Sequence, residues 1–297
     1  MNQAPAQDIQ SGDVTPHSAG CSASSAMIER MSRTRLGAAA AGIAAAVVMS
    51  ACSTGVAGQP VAPTGNPSAT AAAESTGPST DVETTWSTIP DAEAAAAPKR
   101  ITLTQSATGA PCTAGPAVAA AAAAGHRGYL TAGHCDQVRG SSVTAGGHAV
   151  APYTGTIAGE YGATVTWGAS SASPTVAGRN VVGVLTREAT QKLDYHTAVC
   201  VDAAVSGVQC GLLVDADGDG IGAKVSTVPG DSGSPLFLVG PRGITLIGLV
   251  EESAEPYTYA AYLDPLLAQM GAKALVDRSA AVDPRTDPRY STATTSQ

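Results

Sequence analysis

The chain has little charge and few aromatic rings: 13 % of its 297 residues are Asp, Glu, Lys or Arg, 4 % are aromatic, and Phe occurs once. The balance is acidic, with 16 Lys and Arg against 24 Asp and Glu and a net charge of −8. A nucleic-acid-binding face needs a surplus of Lys and Arg, so this balance argues against such a partner. It argues equally against a basic membrane-surface patch on the folded part. Cys112, Cys135, Cys200 and Cys210 contain no Cys-x-x-Cys pair, which argues against zinc. No long helical period appears before Leu263 to Ala274. Short apolar and Thr runs, broken by Gly, Pro and Asn, fill the chain from about 100 to 267 instead. That texture is the pattern of an all-β barrel or sandwich.

Ahead of this region the chain changes character three times. Residues 1–26 are polar without a hydrophobic period and read as a disordered leader, or as residues upstream of the true start, since Met27 and Met31 are both plausible initiators. Residues 27–52 read as a secretion signal: Arg30, Arg33 and Arg35 precede an Ala-rich apolar run, Leu36 to Val48, too short to span a bilayer comfortably. The run ends in Met49-Ser50-Ala51-Cys52, which resembles a bacterial lipobox and implies a lipid anchor on Cys52. An ordinary signal cleaved near Ala51 is the other reading. Residues 53–99 are Ala, Pro, Ser, Thr and Gly with scattered acids, a composition that cannot bury enough apolar surface to order itself. Trp86 is the one residue there suited to docking. Residues 276–297, with Asp-Pro-Arg at 283–285 and 287–289, read as a disordered tail.

Two stretches carry chemistry. The first is Gly230-Asp231-Ser232-Gly233-Ser234-Pro235, ahead of the apolar strand Leu236 to Val239. A serine hydroxyl is a poor nucleophile unless a base takes its proton and N–H groups meet the developing oxyanion. Gly230 tolerates backbone angles closed to other residues, so its N–H and that of Ser232 can converge on one point. Gly233 leaves room for substrate, and a buried Asp231 with a cationic partner would lock the loop. The second stretch is Tyr129-Leu130-Thr131-Ala132-Gly133-His134-Cys135, a buried strand delivering a histidine. Taken singly, each also reads as a turn or a structural histidine. Together, and in this order, they supply the nucleophile and the base that the chemistry requires.

These motifs resemble those of the chymotrypsin/trypsin-like serine peptidases, and residues 198–211 resemble the second-barrel disulfide loop of the bacterial streptogrisin-type members. The resemblance covers about 100–272. It implies two packed six-stranded antiparallel barrels, at about 100–168 and 169–262, with a C-terminal helix and a peptidase domain over 100–275. It also implies the disulfides Cys112–Cys135 and Cys200–Cys210, from among the three pairings that four cysteines allow. By the same resemblance Ser232 is the nucleophile, His134 the general acid/base, and the Gly230 and Ser232 N–H groups the oxyanion hole. Ser226, six residues before the nucleophile, is implied as an uncharged pocket floor, and Glu251 and Glu252 stand on the pocket wall where the family has Ser and Gly. In family members Asp231 pairs with a new N-terminus or with an internal arginine; Arg127, Arg139 and Arg179 are the arginines weighed for that role.

The acid of the triad is the open position. Glu160, in Gly159-Glu160-Tyr161-Gly162, lies in the family's register but is Glu where Asp is usual. Asp194 has the usual type but falls just before Cys200, and Glu251 is the third choice. Glu160 is the first choice of the three. No cofactor is expected. Asp215, Asp217 and Asp219 alternate as calcium ligands do, but Ser226 stands where an EF-hand carries its closing Glu, so the stretch also reads as a hairpin turn. The expectation is an exported, monomeric serine endopeptidase acting on protein or peptide substrates at the outer face of the membrane. The alternative is a protease-fold lipoprotein with little catalysis that binds peptides or envelope partners.

Overall fold

The structure is a computed structural model that describes residues 85–122 and 125–297. The leader, the signal stretch with Cys52, and the linker up to residue 84 lie outside the described residues. Among the described residues, eighteen strands and three short helices follow one another, and no helix is long and apolar enough to cross a membrane.

The strands form where Val, Ile, Leu, Thr and Ala alternate. In β1 (Thr102–Gln105) Leu103 and Gln105 are buried while Thr102 and Thr104 are half-buried, the period of two expected of a sheet with one covered face. β1 joins β2 (Pro111–Thr113), β5 (Val143–Ala145) and β6 (His148–Val150) in a four-stranded sheet ordered β2-β1-β5-β6. A second sheet contains β3 (Ala117–Ala120), β4 (Arg127–Ala132), β7 (Thr154–Ile157) and β8 (Ala163–Trp167). It is extended by β17 (Ala272–Val276) and β18 (Thr294–Ser296), giving the order β18-β17-β3-β4-β8-β7.

The remaining strands close on themselves. β11 (Ala198–Ala203), β12 (Gly207–Asp217), β13 (Gly220–Lys224), β14 (Pro235–Gly240), β15 (Gly243–Ala254) and β16 (Tyr257–Tyr262) run β14-β11-β12-β13-β16-β15, and β15 pairs back onto β14. Closure removes the free edges of this six-stranded barrel, although β10 (Arg179–Val184) still adds to β15 in parallel and carries β9 (Thr175–Val176). Leu236, Leu238, Ile221, Ile247 and Val250 form one buried cluster of this barrel, whereas Phe237, Leu246 and Leu249 are buried in a second cluster with Val118, Leu130 and Leu263. The helices are α1 (Asp91–Ala96), α2 (Arg187–Thr190) and α3 (Leu263–Met270).

The all-β architecture with a C-terminal helix is therefore as expected, and both disulfides, Cys112–Cys135 and Cys200–Cys210, are formed. Three expectations need correction. The first half, 100–168, is two sheets rather than a self-contained six-stranded barrel, and it borrows β17 and β18 from the end of the chain. The helix stops at Gly271, whose φ of +59° ends it in the left-handed region, and Ala272–Val276 becomes a strand against β3.

The tail and the last part of the linker are also ordered. Tyr290 and Ser291 are buried, and the Tyr290 ring fills the space over Gly183, where an added Cβ would lie 2.5 Å from it. Ahead of β1, Trp86 covers Gly240, Ile89 is buried with its N–H 3.4 Å from Cys210 Sγ, and Glu93 takes Arg179 in two hydrogen bonds of 2.5 and 2.7 Å. A low-complexity composition predicts disorder because it cannot form a core of its own; here a few side chains dock on a core made elsewhere.

Candidate active site

His134 sits on a 3₁₀ turn, Gly133–Cys135, that ends β4. The disulfide to Cys112 ties this turn to β2, and the Gly133 N–H donates to Gly162 O at 3.1 Å. Gly133 must be glycine, since a Cβ there would lie 2.4 Å from Ile157 O.

Ser232 lies half-buried on the loop between β13 and β14. The loop is laced to both neighbours. The Thr113 N–H on β2 donates to Ser232 O at 2.8 Å; the Gly233 N–H donates to Val250 O on β15 at 2.7 Å, and the Val250 N–H to Ser234 O at 2.9 Å. Gly233 (φ +88°) packs so closely that a Cβ would fall 2.1 Å from Thr131 Oγ1, three residues before His134. The loop thus meets β2, β4 and β15 at one place.

The residue after Val250 is Glu251. Between β15 and β16 the register shifts: Val250 faces Ala260, Glu252 faces Tyr259, and Glu251 is the extra residue of a β-bulge. A bulged residue is unpaired and is turned out of the regular alternation, a common device beside active sites. Glu251 is turned inward, its side chain 1 % exposed, with Oε2 3.5 Å from His134 Nδ1. That separation is at the limit of a hydrogen bond, and neither carboxylate oxygen has another partner among the described residues. Burial pushes the Glu251 carboxyl up to about 7, with His134 opposing the rise.

Glu160 is not beside His134. It is exposed in the turn between β7 and β8, and among the described residues it makes no ion pair or hydrogen bond. Its negative charge instead helps raise the Tyr161 hydroxyl, whose first cause is burial. Asp194 is also exposed and away from the histidine; its carbonyl accepts from the Thr197 N–H and hydroxyl. The carboxylate facing His134 is therefore neither Glu160, the first choice from sequence, nor Asp194, but Glu251, the third choice, which the sequence also suggested for the pocket wall. A run of apolar residues ending in two glutamates gives no sign that the first points inward, because the bulge depends on pairing with β16.

The Gly230 and Ser232 N–H groups have no acceptor among the described residues, leaving both available to a ligand. Among the described residues, the Ser232 hydroxyl makes no hydrogen bond to His134; bonds of this kind often tighten only when substrate is bound. Ser226 is exposed, next to the buried Thr227, whose hydroxyl bonds to those of Ser253 (2.6 Å) and Thr258 (2.8 Å). Glu252 is exposed. None of Arg127, Arg139 or Arg179 bonds to Asp231, and Arg179 is taken by Glu93.

Asp215, Asp217 and Asp219 do not gather around a point. Among the described residues, the only three potential metal ligands within 4.8 Å of one another are Cys112, His134 and Cys135, and both sulfurs are spent in the disulfide. Carboxylates two residues apart on a strand stand roughly 6–7 Å apart, and the hairpin β12–β13 does not fold them back. Two clefts, of about 510 and 200 Å³, flank Arg100 and Asp202; neither includes His134, Ser232 or Glu251.

No protein-family profile and no curated protein matches the chain. Solved structures do. Nocardiopsis protease is 19 % identical with a TM-score of 0.47, covering 59 % of this chain and 97 % of its own. Thermobifida fusca protease A is 18 % identical at 0.46, covering 59 % and 96 %. Cellulomonas bogoriensis chymotrypsin is 20 % identical at 0.45, covering 61 % and 97 %.

Proposed function

We propose that the chain is a serine-type peptidase in which Ser232 is the nucleophile, His134 the general acid/base and Glu251 the orienting acid. The observation that carries this reading is the buried Glu251 carboxylate set against His134 Nδ1, on the strand laced to the Ser232 loop. With Nδ1 facing the acid, Nε2 is left to serve the serine.

The steps follow. His134 Nε2 takes the Ser232 proton as Oγ bonds to the substrate carbonyl carbon, and the carbonyl electron pair moves onto oxygen, where the Gly230 and Ser232 N–H groups receive it. The imidazolium is balanced by Glu251. The oxyanion collapses, the C–N bond breaks, and the proton on His134 goes to the leaving amine, leaving an acyl ester on Ser232. Water, deprotonated by His134, attacks the ester and releases the acid while the proton returns to Ser232.

The substrate class is protein or peptide. Two disulfides and the signal-like stretch 27–52 support export, and Cys52 is the proposed anchor to the outer face of the membrane. A second reading, a binding module with little turnover, is favoured by one observation, the absence of a Ser232–His134 hydrogen bond. A fluorophosphonate probe separates the two on full-length chain. Labelling of the parent that is lost in Ser232→Ala supports the peptidase; a folded parent that resists the probe refutes it and leaves the binding module.

A further inference from the structure

The residue before the nucleophile, Asp231, is fully buried. A buried carboxylate needs either a cation or enough hydrogen-bond donors to replace water. Among the described residues no cation bonds to it. Oδ1 accepts from the Val205 N–H (3.1 Å) and the Ser206 N–H (3.2 Å); Oδ2 accepts from the Val228 N–H (2.9 Å) and the Ser206 hydroxyl. A carboxylate offers about four lone-pair sites, and four donors occupy them. Three of the four come from the tip of the β11–β12 hairpin.

The same tip holds Thr113. The Ala204 N–H donates to Thr113 Oγ1 at 3.0 Å, and that hydroxyl donates to Gly230 O at 3.0 Å, while the Thr113 N–H takes Ser232 O at 2.8 Å. The carbonyls on either side of Asp231 are thus pinned by one threonine. The Asp231 carbonyl accepts from the Ser234 N–H and hydroxyl, at 3.0 and 2.6 Å, which orients the peptide that carries the Ser232 N–H. Gly230 is held at φ +102° against Val205, where a Cβ would meet Val205 Cγ2 at 2.9 Å. The Asp231 carboxylate directly, and the Gly230 and Ser232 carbonyls through Thr113, are therefore tied to residues 204–206, while Ser234 holds the Asp231 carbonyl from within the loop. The hairpin is fixed just behind its tip by Asp202, which takes the Ala177 N–H at 2.8 Å and faces Arg100 at 3.6 Å.

We infer that Ser206 and Thr113 are positioning residues that hold the oxyanion hole assembled by neutral hydrogen bonds, so that the site needs no cation or newly freed N-terminus to organise Asp231. This rests on the peptidase reading, and two measurements keep the failures apart. On full-length chain whose parent shows Ser232-dependent turnover of a peptide amide, Ser206→Ala lowers kcat by about 10- to 100-fold, less than the ~10²–10³ lost with an oxyanion donor itself. KM and the midpoint of the pH profile stay put, and Ser206→Thr restores kcat to within about threefold. Parent-like kcat in Ser206→Ala, or a loss confined to KM, overturns the inference. Hydrogen exchange over residues 226–235 reads the same clamp without turnover: exchange in folded Ser206→Ala and in Thr113→Ser is compared with the parent. Faster exchange in Ser206→Ala, with Thr113→Ser nearer the parent, supports the clamp. Equal exchange in Ser206→Ala overturns it, whether or not the chain is catalytic.

Discussion

Replacing Glu251 by Gln removes one negative charge and keeps the shape, and it should raise stability while destroying activity. The carboxyl is held near 7 against an ordinary value of 4.5, chiefly by burial. A folded state that grips the proton more tightly than the unfolded chain is stabilised fully below about pH 4.5, and that contribution is lost as the pH rises through 7. A difference of about 2.5 pH units corresponds to about 3 kcal/mol at pH 8. The parent should therefore lose that much stability relative to Glu251→Gln between pH 4.5 and 8. A buried amide carries a cost of its own that does not vary with pH, so the slope of the difference is the quantity to read. Urea melts of both proteins at half-unit steps from pH 4.5 to 8.5 give it directly. Turnover by Glu251→Gln should fall by a factor on the order of 10⁴, as when an orienting acid is lost. A stability difference that is flat across this range would show that Glu251 titrates normally and is not the buried partner described above. Retained turnover would remove it from the triad.

Three further outcomes follow from the same geometry. Glu160→Gln should leave kcat within about twofold of the parent, because the side chain is exposed and away from His134; a loss of 100-fold or more in steady-state kinetics would return it to the triad. Opening Cys112–Cys135, whose partners are 23 residues apart, by the double Ala variant should cost about 3 kcal/mol in denaturant unfolding, since the unfolded chain regains the entropy of that loop; an unchanged midpoint would refute this. Tyr290→Ala should cost roughly 3 kcal/mol and lower the melting temperature, because its ring fills the space over Gly183; a melting temperature equal to the parent's would mean the tail does not brace the domain.

The legible part of this protein is the part that depends on short runs. Gly230 to Pro235 and Thr131 to Cys135 carry Ser232, the proposed nucleophile, and His134 within a few residues each, because tight turns and close approaches demand glycine at fixed offsets. Gly233 against Thr131 and Gly133 against Ile157 are those demands made visible. The alternating apolar and Thr runs likewise disclosed strands, since side chains along a strand face opposite sides.

What the tertiary structure alone decided is pairing over long separations. Glu251 is the carboxylate that faces His134 because β15 gains one residue against β16 at that point, and a bulge is a property of two strands rather than of one. The tail is ordered because Tyr290 meets a gap above Gly183, and the end of the linker is ordered because Trp86 and Ile89 find surfaces already built. Asp231 takes its hydrogen bonds from a hairpin some twenty-five residues earlier, and among the described residues no cation joins them. In each case the energy lies in contacts between segments distant in the chain, and a local pattern of residues carries no record of which distant segment will arrive.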